Sequence, residues 1–221
     1  MIKALVFDLD GVIIDSESIN TELTLQVLRD VGAQSDTDEI SQFVGVQNEK
    51  MWTILIDRHQ IKESVEQLME KQRVYILERF LNGELEPIAG VIELLEEARS
   101  KNLKIALATS APRVYAEYIL KKIKAAEYFE VLVTSDEIAK SKPDPEVYIT
   151  AAKALGLKPE ECIAIEDSTA GIQAAKSAGM TCIGFKNPNS GNQDTTKADN
   201  VVTSIREINL DSIDKKGDIY E

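Results

Sequence analysis

Two aspartates two residues apart, in Asp8-Leu9-Asp10-Gly11, directly follow the apolar run Ala4–Phe7. Residues i and i+2 of an extended chain face the same way, so both carboxylates can serve one reacting group. One can attack phosphorus and carry it as an aspartyl-phosphate. The other can protonate the leaving oxygen and then take the proton of the attacking water. Gly11 lets the chain leave the strand in a tight turn.

Three further polar groups follow apolar runs in the same way. Thr109 and Ser110 come after Ile105–Ala108. Lys142 stands in Ser-Lys-Pro-Asp-Pro, past Phe129–Thr134 and a short helical turn. Glu166, Asp167 and Ser168 come after Ile163–Ile165. Open α/β sheets bind ligands outside the carboxyl ends of their strands, so these residues should gather on one sheet edge. The carboxylates of Asp8, Asp10, Glu166 and Asp167 would repel one another there, and a hard divalent cation offsets that repulsion. Magnesium suits an all-oxygen site that keeps room for water and phosphate. Asp8 and Asp167 are its expected side-chain ligands, with the backbone carbonyl of Asp10. Thr109, Ser110 and Lys142 suit the oxygens of a transferring phosphoryl group, where catalysis is mostly positioning and charge stabilisation. The single histidine, His59, is expected mid-helix on a solvated surface, which leaves proton transfer to carboxylates.

The elements that must position these residues follow from periodicity. The runs named above, with Cys182–Phe185, are nearly continuous apolar segments, as strands buried on both faces are. Helical patterns lie between them at Val91–Lys101, Pro145–Leu155 and Thr169–Ala178. The expected fold is α/β: a doubly wound, mostly parallel, Rossmann-like sheet with helices on both faces. Residues 16–84 break the alternation. They carry helical signals alone, at Ser18–Val31, Thr37–Val44, Asn48–Arg58 and a long helix capped by Ser64 and ending at Gly83. A small all-helical domain inserted after the first strand is expected there, placed over the strand ends as a lid, with residues 1–15 and 85–221 forming the α/β core. The charged tail after Asp211 is expected to fray.

Bulk composition excludes other classes. The net charge of −13, with no basic run, argues against nucleic acid and anionic membrane surfaces. No apolar stretch reaches a membrane span, and the N-terminus lacks a signal peptide's pattern, so a cytoplasmic monomer is expected. Cys162 and Cys182 sit in apolar runs and read as buried free thiols. No Cys/His spacing suggests zinc.

The strings VFDLDGVIIDSE, IALATSAPR, KSKPDPEVY and AIEDSTAGIQAAKSAGM together resemble the haloacid-dehalogenase-like hydrolases. Within them, the chain resembles the branch of β-phosphoglucomutase, phosphoglycolate phosphatase and the sugar-phosphate phosphatases. The resemblance implies a helical cap after the first strand. It implies Asp8 as nucleophile, Asp10 as general acid/base, Thr109 and Lys142 as phosphate binders and Asp167 as a magnesium ligand, with Glu166 and Ser168 in support. Asp10 also sets the chain apart from the family's dehalogenases, which lack the second aspartate because halide needs no proton.

The cap departs from the mutase pattern. Relatives of β-phosphoglucomutase carry a His early in the first cap helix and an Arg after a Gly-Val in the cap loop. Here Gly45 and Val46 are kept, but Asn20 and Asn48 occupy the His and Arg positions. The Arg would grip a second phosphate, so its loss favours a phosphatase of a small phosphorylated metabolite, of the sugar-phosphate kind, over a mutase. Lys50 is one cation that could substitute. The mutase is the first rival reading, and a phospho-receiver signalling module is a distant second. Fold analogy does not name the substrate.

Overall fold

The structure is a computed structural model that describes residues 1–44 and 46–211. The chain divides into two compact units. One holds Met1–Asp15, Glu86–Pro188 and the described part of Asn192–Glu221; the other holds Ser16–Leu85 with Asn189–Gly191. The expectation for the tail beyond Asp211 lies outside the described residues.

The first unit is built on a parallel sheet of β1 (Ala4–Phe7), β2 (Lys104–Ala108), β3 (Val131–Val133), β4 (Cys162–Glu166), β5 (Thr181–Phe185) and β6 (Asn200–Val202). Their order is β3-β2-β1-β4-β5-β6, and every neighbouring pair is parallel. Side chains alternate across the pleat. Ala4, Val6, Ala106, Ala108, Ala164 and Cys182 share one buried cluster with α7 (Glu146–Ala154) and α8 (Thr169–Ala178). The larger Leu5, Phe7, Ile105, Leu107 and Ile163 take the alternate positions and are equally buried. Small residues on one face let α7 and α8 approach closely. Helix α5 (Val91–Ser100) packs against β2 and buries Val91, Leu94, Leu95 and Ala98. Both cysteines are buried free thiols.

Two elements of this unit were not visible as periodic runs. Strand β6 has three residues and an exposed Val201, too short and too polar at its edges to stand out. Helix α6 (Arg113–Lys122) follows Thr109 and Ser110 and opens after Pro112.

The second unit is helical: α1 (Ser16–Asp30), α2 (Thr37–Ser41), α3 (Asn48–His59) and α4 (Val65–Asn82). Ser64 caps α4 in a reciprocal capping box with Gln67. Val27, Leu28, Ile40, Trp52, Leu55 and Leu68 form its core. His59 differs from expectation. It is the last residue of α3, half-buried, and its Nε2 lies 2.9 Å from the Glu39 carboxylate. Glu39 also pairs with Arg58 at 2.6 Å. The histidine is therefore tied into a surface ion-pair group instead of standing in solvent. No helix among the described residues is long and apolar enough to cross a membrane.

Candidate active site

The strand order reverses between β1 and β4, and this is where an open α/β sheet forms its ligand crevice. Asp8 leaves the carboxyl end of β1, and its backbone N–H donates to Ile165 O of β4 at 3.0 Å. That bond sets Asp8 beside Glu166, the last residue of β4, and Asp167. Carboxylate oxygens of Asp8, Glu166 and Asp167 all lie within 4.8 Å of one another. All three residues are buried.

Lys142 holds this group together. Its Nζ contacts Asp8 Oδ1 at 2.7 Å and Glu166 Oε1 at 2.6 Å, and donates to Ala108 O at 3.1 Å. Those three acceptors match the three N–H groups of an ammonium. Burial alone would lower the Lys142 ammonium, but Asp8 and Glu166 outweigh it and hold it above its ordinary range. Burial, and then the Glu166 carboxylate, push the Asp8 carboxyl well above the usual aspartate range against the pull of Lys142.

Glu166 is fully occupied. Its Oε1 accepts from Lys142 and from Tyr148 Oη at 2.7 Å. Its Oε2 accepts from the backbone N–H of Asp167 and Ser168 and from Ser168 Oγ, all at 3.1–3.2 Å. Ser168 Oγ also accepts from Gly171 N–H at 3.0 Å and so caps α8. Glu166 thus anchors the lysine and the start of α8.

The oxygen-only donor set fits magnesium. Three carboxylates against one ammonium leave a surplus of two negative charges in a buried crevice, which a divalent cation offsets. Glu166 is spent on its donors, so Asp8 and Asp167 are the side chains that would hold the ion.

Two glycines make the cluster possible. A Cβ on Gly11, whose φ is +77°, would lie 1.9 Å from Asp167 Oδ2. A Cβ on Gly171 would lie 1.8 Å from Glu166 Oε1. We expect Gly171→Ala to push Glu166 off Lys142, costing roughly 1–3 kcal/mol of stability as an overpacked site and most of the activity. Thermal melts and turnover of an aryl phosphate check this; a fully active, equally stable variant would contradict the tight packing.

The remaining expected residues are placed as follows. Thr109 is buried just beyond Ala108, and its Oγ1 accepts from Ala111 N–H at 3.0 Å. Ser110 is exposed. Asp10 is half-buried, and Tyr115 Oη of α6 donates to its Oδ1 at 3.3 Å. Burial, then Asp10, raises the Tyr115 phenol above its ordinary range, so it stays a neutral donor. In the helical unit, Asn20, Val46 and Asn48 line one pocket; Gly45 lies outside the described residues.

Three partners of the site escaped sequence reasoning. Tyr148 sits among apolar positions of α7 and reads as core. Tyr115 lies on the helix that periodicity missed. Asn187 follows β5 and donates its Nδ2 to Gly11 O at 3.0 Å, holding the turn after Asp10; the strand-end rule applied to Cys182–Phe185 would have found it.

Comparison with known proteins agrees with this geometry. Residues 5–185 match the model of the haloacid dehalogenase-like hydrolase family. A phosphorylated carbohydrates phosphatase of Thermotoga maritima is 36% identical over 179 residues, covering 80% of this chain and 82% of that protein. The β-phosphoglucomutase of Bacillus subtilis is 32% identical over 227 residues, covering 99% and 96%. The crystal structure of a HAD family hydrolase from Deinococcus radiodurans, with bound phosphate and sodium, superposes with a TM-score of 0.81 at 26% identity over 93% of each chain. A family match over most of the chain, with the acidic crevice at the sheet's switch point, establishes that the chain belongs to the haloacid dehalogenase-like hydrolases.

Proposed function

We propose that this chain is a magnesium-dependent phosphatase of a phosphorylated carbohydrate, working through an aspartyl-phosphate on Asp8. The observation that carries the reading is the buried Asp8–Lys142–Glu166 group beside Asp167, with Asp10 two residues on. Bound magnesium would neutralise phosphoryl oxygens and the surplus carboxylate charge. An oxygen of Asp8 attacks phosphorus, and the bond from phosphorus to the substrate's leaving oxygen breaks. Asp10 gives its proton to that oxygen. Asp10 then takes a proton from water, the water oxygen attacks phosphorus, and the bond to Asp8 breaks. Inorganic phosphate leaves and the Asp8 carboxylate is restored. Lys142 and Thr109 stabilise the charge on the phosphoryl oxygens, and Tyr115 orients Asp10.

The test is a panel of sugar phosphates with p-nitrophenyl phosphate, scored for phosphate release. Release is expected with magnesium and should fall at least about 100-fold in excess EDTA, the loss expected when a metal's charge stabilisation goes. Calcium should not restore it, because its looser, higher coordination fits in-line attack poorly. Full turnover in EDTA would overturn the metal role, and a stable phosphoprotein without turnover would favour a receiver. A mutase is the second reading, favoured by the likeness to the Bacillus subtilis β-phosphoglucomutase. It predicts isomerised sugar phosphate with little free phosphate, measured in the same assay.

A further inference from the structure

Lys142 has no donor to spare. Its three N–H groups are taken by Asp8 Oδ1, Glu166 Oε1 and Ala108 O. An ammonium has no fourth N–H, so contact with a phosphoryl oxygen requires that one of these partners be released. Releasing Asp8 would leave its carboxylate beside Glu166 and Asp167 without the cation that offsets them. Releasing Glu166 costs less, because Glu166 keeps other donors.

The donor that stays on the released oxygen is Tyr148. Its Oη reaches Glu166 Oε1 at 2.7 Å, beside Lys142 Nζ at 2.6 Å. Tyr148 is the third residue of α7 and is fully buried, in one apolar cluster with Ala106, Ala108, Ala151 and Ala164. A phenylalanine would fill that space without burying a hydroxyl, and a buried hydroxyl is costly unless it is paired. Burial, and then the Glu166 charge, hold the phenol well above its ordinary range, so it stays a donor. The ring also faces the lysine, with Nζ 5.3 Å from its centroid. One segment carries both groups. The Glu146 carboxylate, in the first turn of α7, accepts from the backbone N–H of Ala139 and Lys140 at 3.1 and 2.9 Å. That ties the loop bearing Lys142 to the helix bearing Tyr148.

We propose that Tyr148 is a positioning residue that acts through Glu166: its hydroxyl keeps Glu166 Oε1 paired while Lys142 turns from that oxygen to the transferring phosphoryl group. Glu166 Oε2 stays on the backbone N–H groups of Asp167 and Ser168 and on Ser168 Oγ, so the carboxylate itself is held in place. Without the hydroxyl, Lys142 is the one remaining donor to Oε1 among the described residues, and Glu166 retains it. The inference rests on the phosphatase reading above and adds the residue that frees its lysine.

Tyr148→Phe keeps the ring and removes only the hydroxyl. With magnesium and p-nitrophenyl phosphate, its kcat should fall about tenfold, a barrier rise of about 1.4 kcal/mol. KM should stay within about twofold, because the lysine turns as charge develops on the phosphoryl oxygens. Inhibition by vanadate, which takes the five-coordinate geometry of the transferring phosphorus, should weaken by about the same tenfold factor. A merely structural loss lowers the amount of folded enzyme, seen in a melting curve, and leaves the vanadate inhibition constant of the rest unchanged. A crystal structure of the wild type with magnesium and vanadate is the second measurement. In it Lys142 Nζ should contact a vanadate oxygen and stand beyond hydrogen-bond distance of Glu166 Oε1, with Tyr148 Oη still on that oxygen. A variant with wild-type kcat, or with an unchanged vanadate constant, overturns the proposal while the phosphatase reading stands. So does a wild-type complex in which Lys142 still holds Glu166, and this result decides the question even where the variant fails to fold. A wild type that releases no phosphate from any ester removes the phosphatase reading, and the role of Tyr148 falls with it.

Discussion

Asp8→Asn should lower turnover by about 10⁴-fold or more, the order lost when a covalent nucleophile is removed. An amide oxygen is a poor nucleophile, and Lys142 cannot supply a replacement because its three N–H groups hold Asp8, Glu166 and Ala108 O. The same substitution should stabilise the chelated protein. Burial and Glu166 raise the Asp8 carboxyl above its ordinary value of 3.8. A carboxyl raised in the folded state favours folding below its ordinary value, and that advantage is lost as pH rises through the folded value. The ionised aspartate is then a cost at neutral pH, and a neutral amide in its place relieves it. In EDTA, the melting temperature of the variant should exceed that of the wild type by roughly 2–4 °C, the effect of about 1 kcal/mol in a chain of this size. The gap should widen as pH rises from 4 to 7. Differential scanning fluorimetry with parallel phosphate-release assays measures both. A variant retaining a tenth of wild-type turnover would remove Asp8 as nucleophile. A variant less stable than the wild type in EDTA would show that the lysine contact outweighs the repulsion.

Asp10→Asn should slow hydrolysis of sugar phosphates by about 100- to 10,000-fold, the usual value of general acid–base assistance. The loss should depend on the leaving group. An alkoxide needs a proton as it departs, whereas p-nitrophenolate leaves well without one. The defect in forming the phosphoenzyme should therefore shrink for the aryl ester, while its breakdown stays slow because water still needs a base. A burst of p-nitrophenol followed by a slow steady state is expected in rapid-mixing kinetics. Equal damage to both esters, with no burst, would take Asp10 out of the acid role. Tyr115 gives an internal control: Tyr115→Phe removes the donor at Asp10 Oδ1 and should produce a weaker version of the same leaving-group dependence.

The acidic crevice was legible because a parallel strand buried on both faces writes itself as an apolar run, and the polar residues that end such a run mark the sheet's ligand edge. Asp8, Lys142, Glu166 and Asp167 were found by that rule, and the structure brings their side chains into one buried group. Helix α6 and strand β6 were not legible. One begins directly after a functional loop, and the other is three residues with an exposed centre.

Residue types and their spacing alone determined the α/β class, the helical insertion after β1, and a set of carboxylates that could hold a cation. Only the tertiary structure decided how those groups divide their work. Asp167 was expected as a ligand and Glu166 as its support, and the physical reason for that split lies in the fold. The difference comes from Lys142, Tyr148 and Ser168, which saturate one carboxylate and leave Asp167 against a glycine that has no Cβ to exclude it. Likewise, Asn48 reads in sequence only as a lost arginine. Its amide donates to Gln72 Oε1, 24 residues away, whose orientation is fixed by an indole that can only donate. Hydrogen-bond direction propagates through contacts between side chains, and those contacts exist only once the helices have packed.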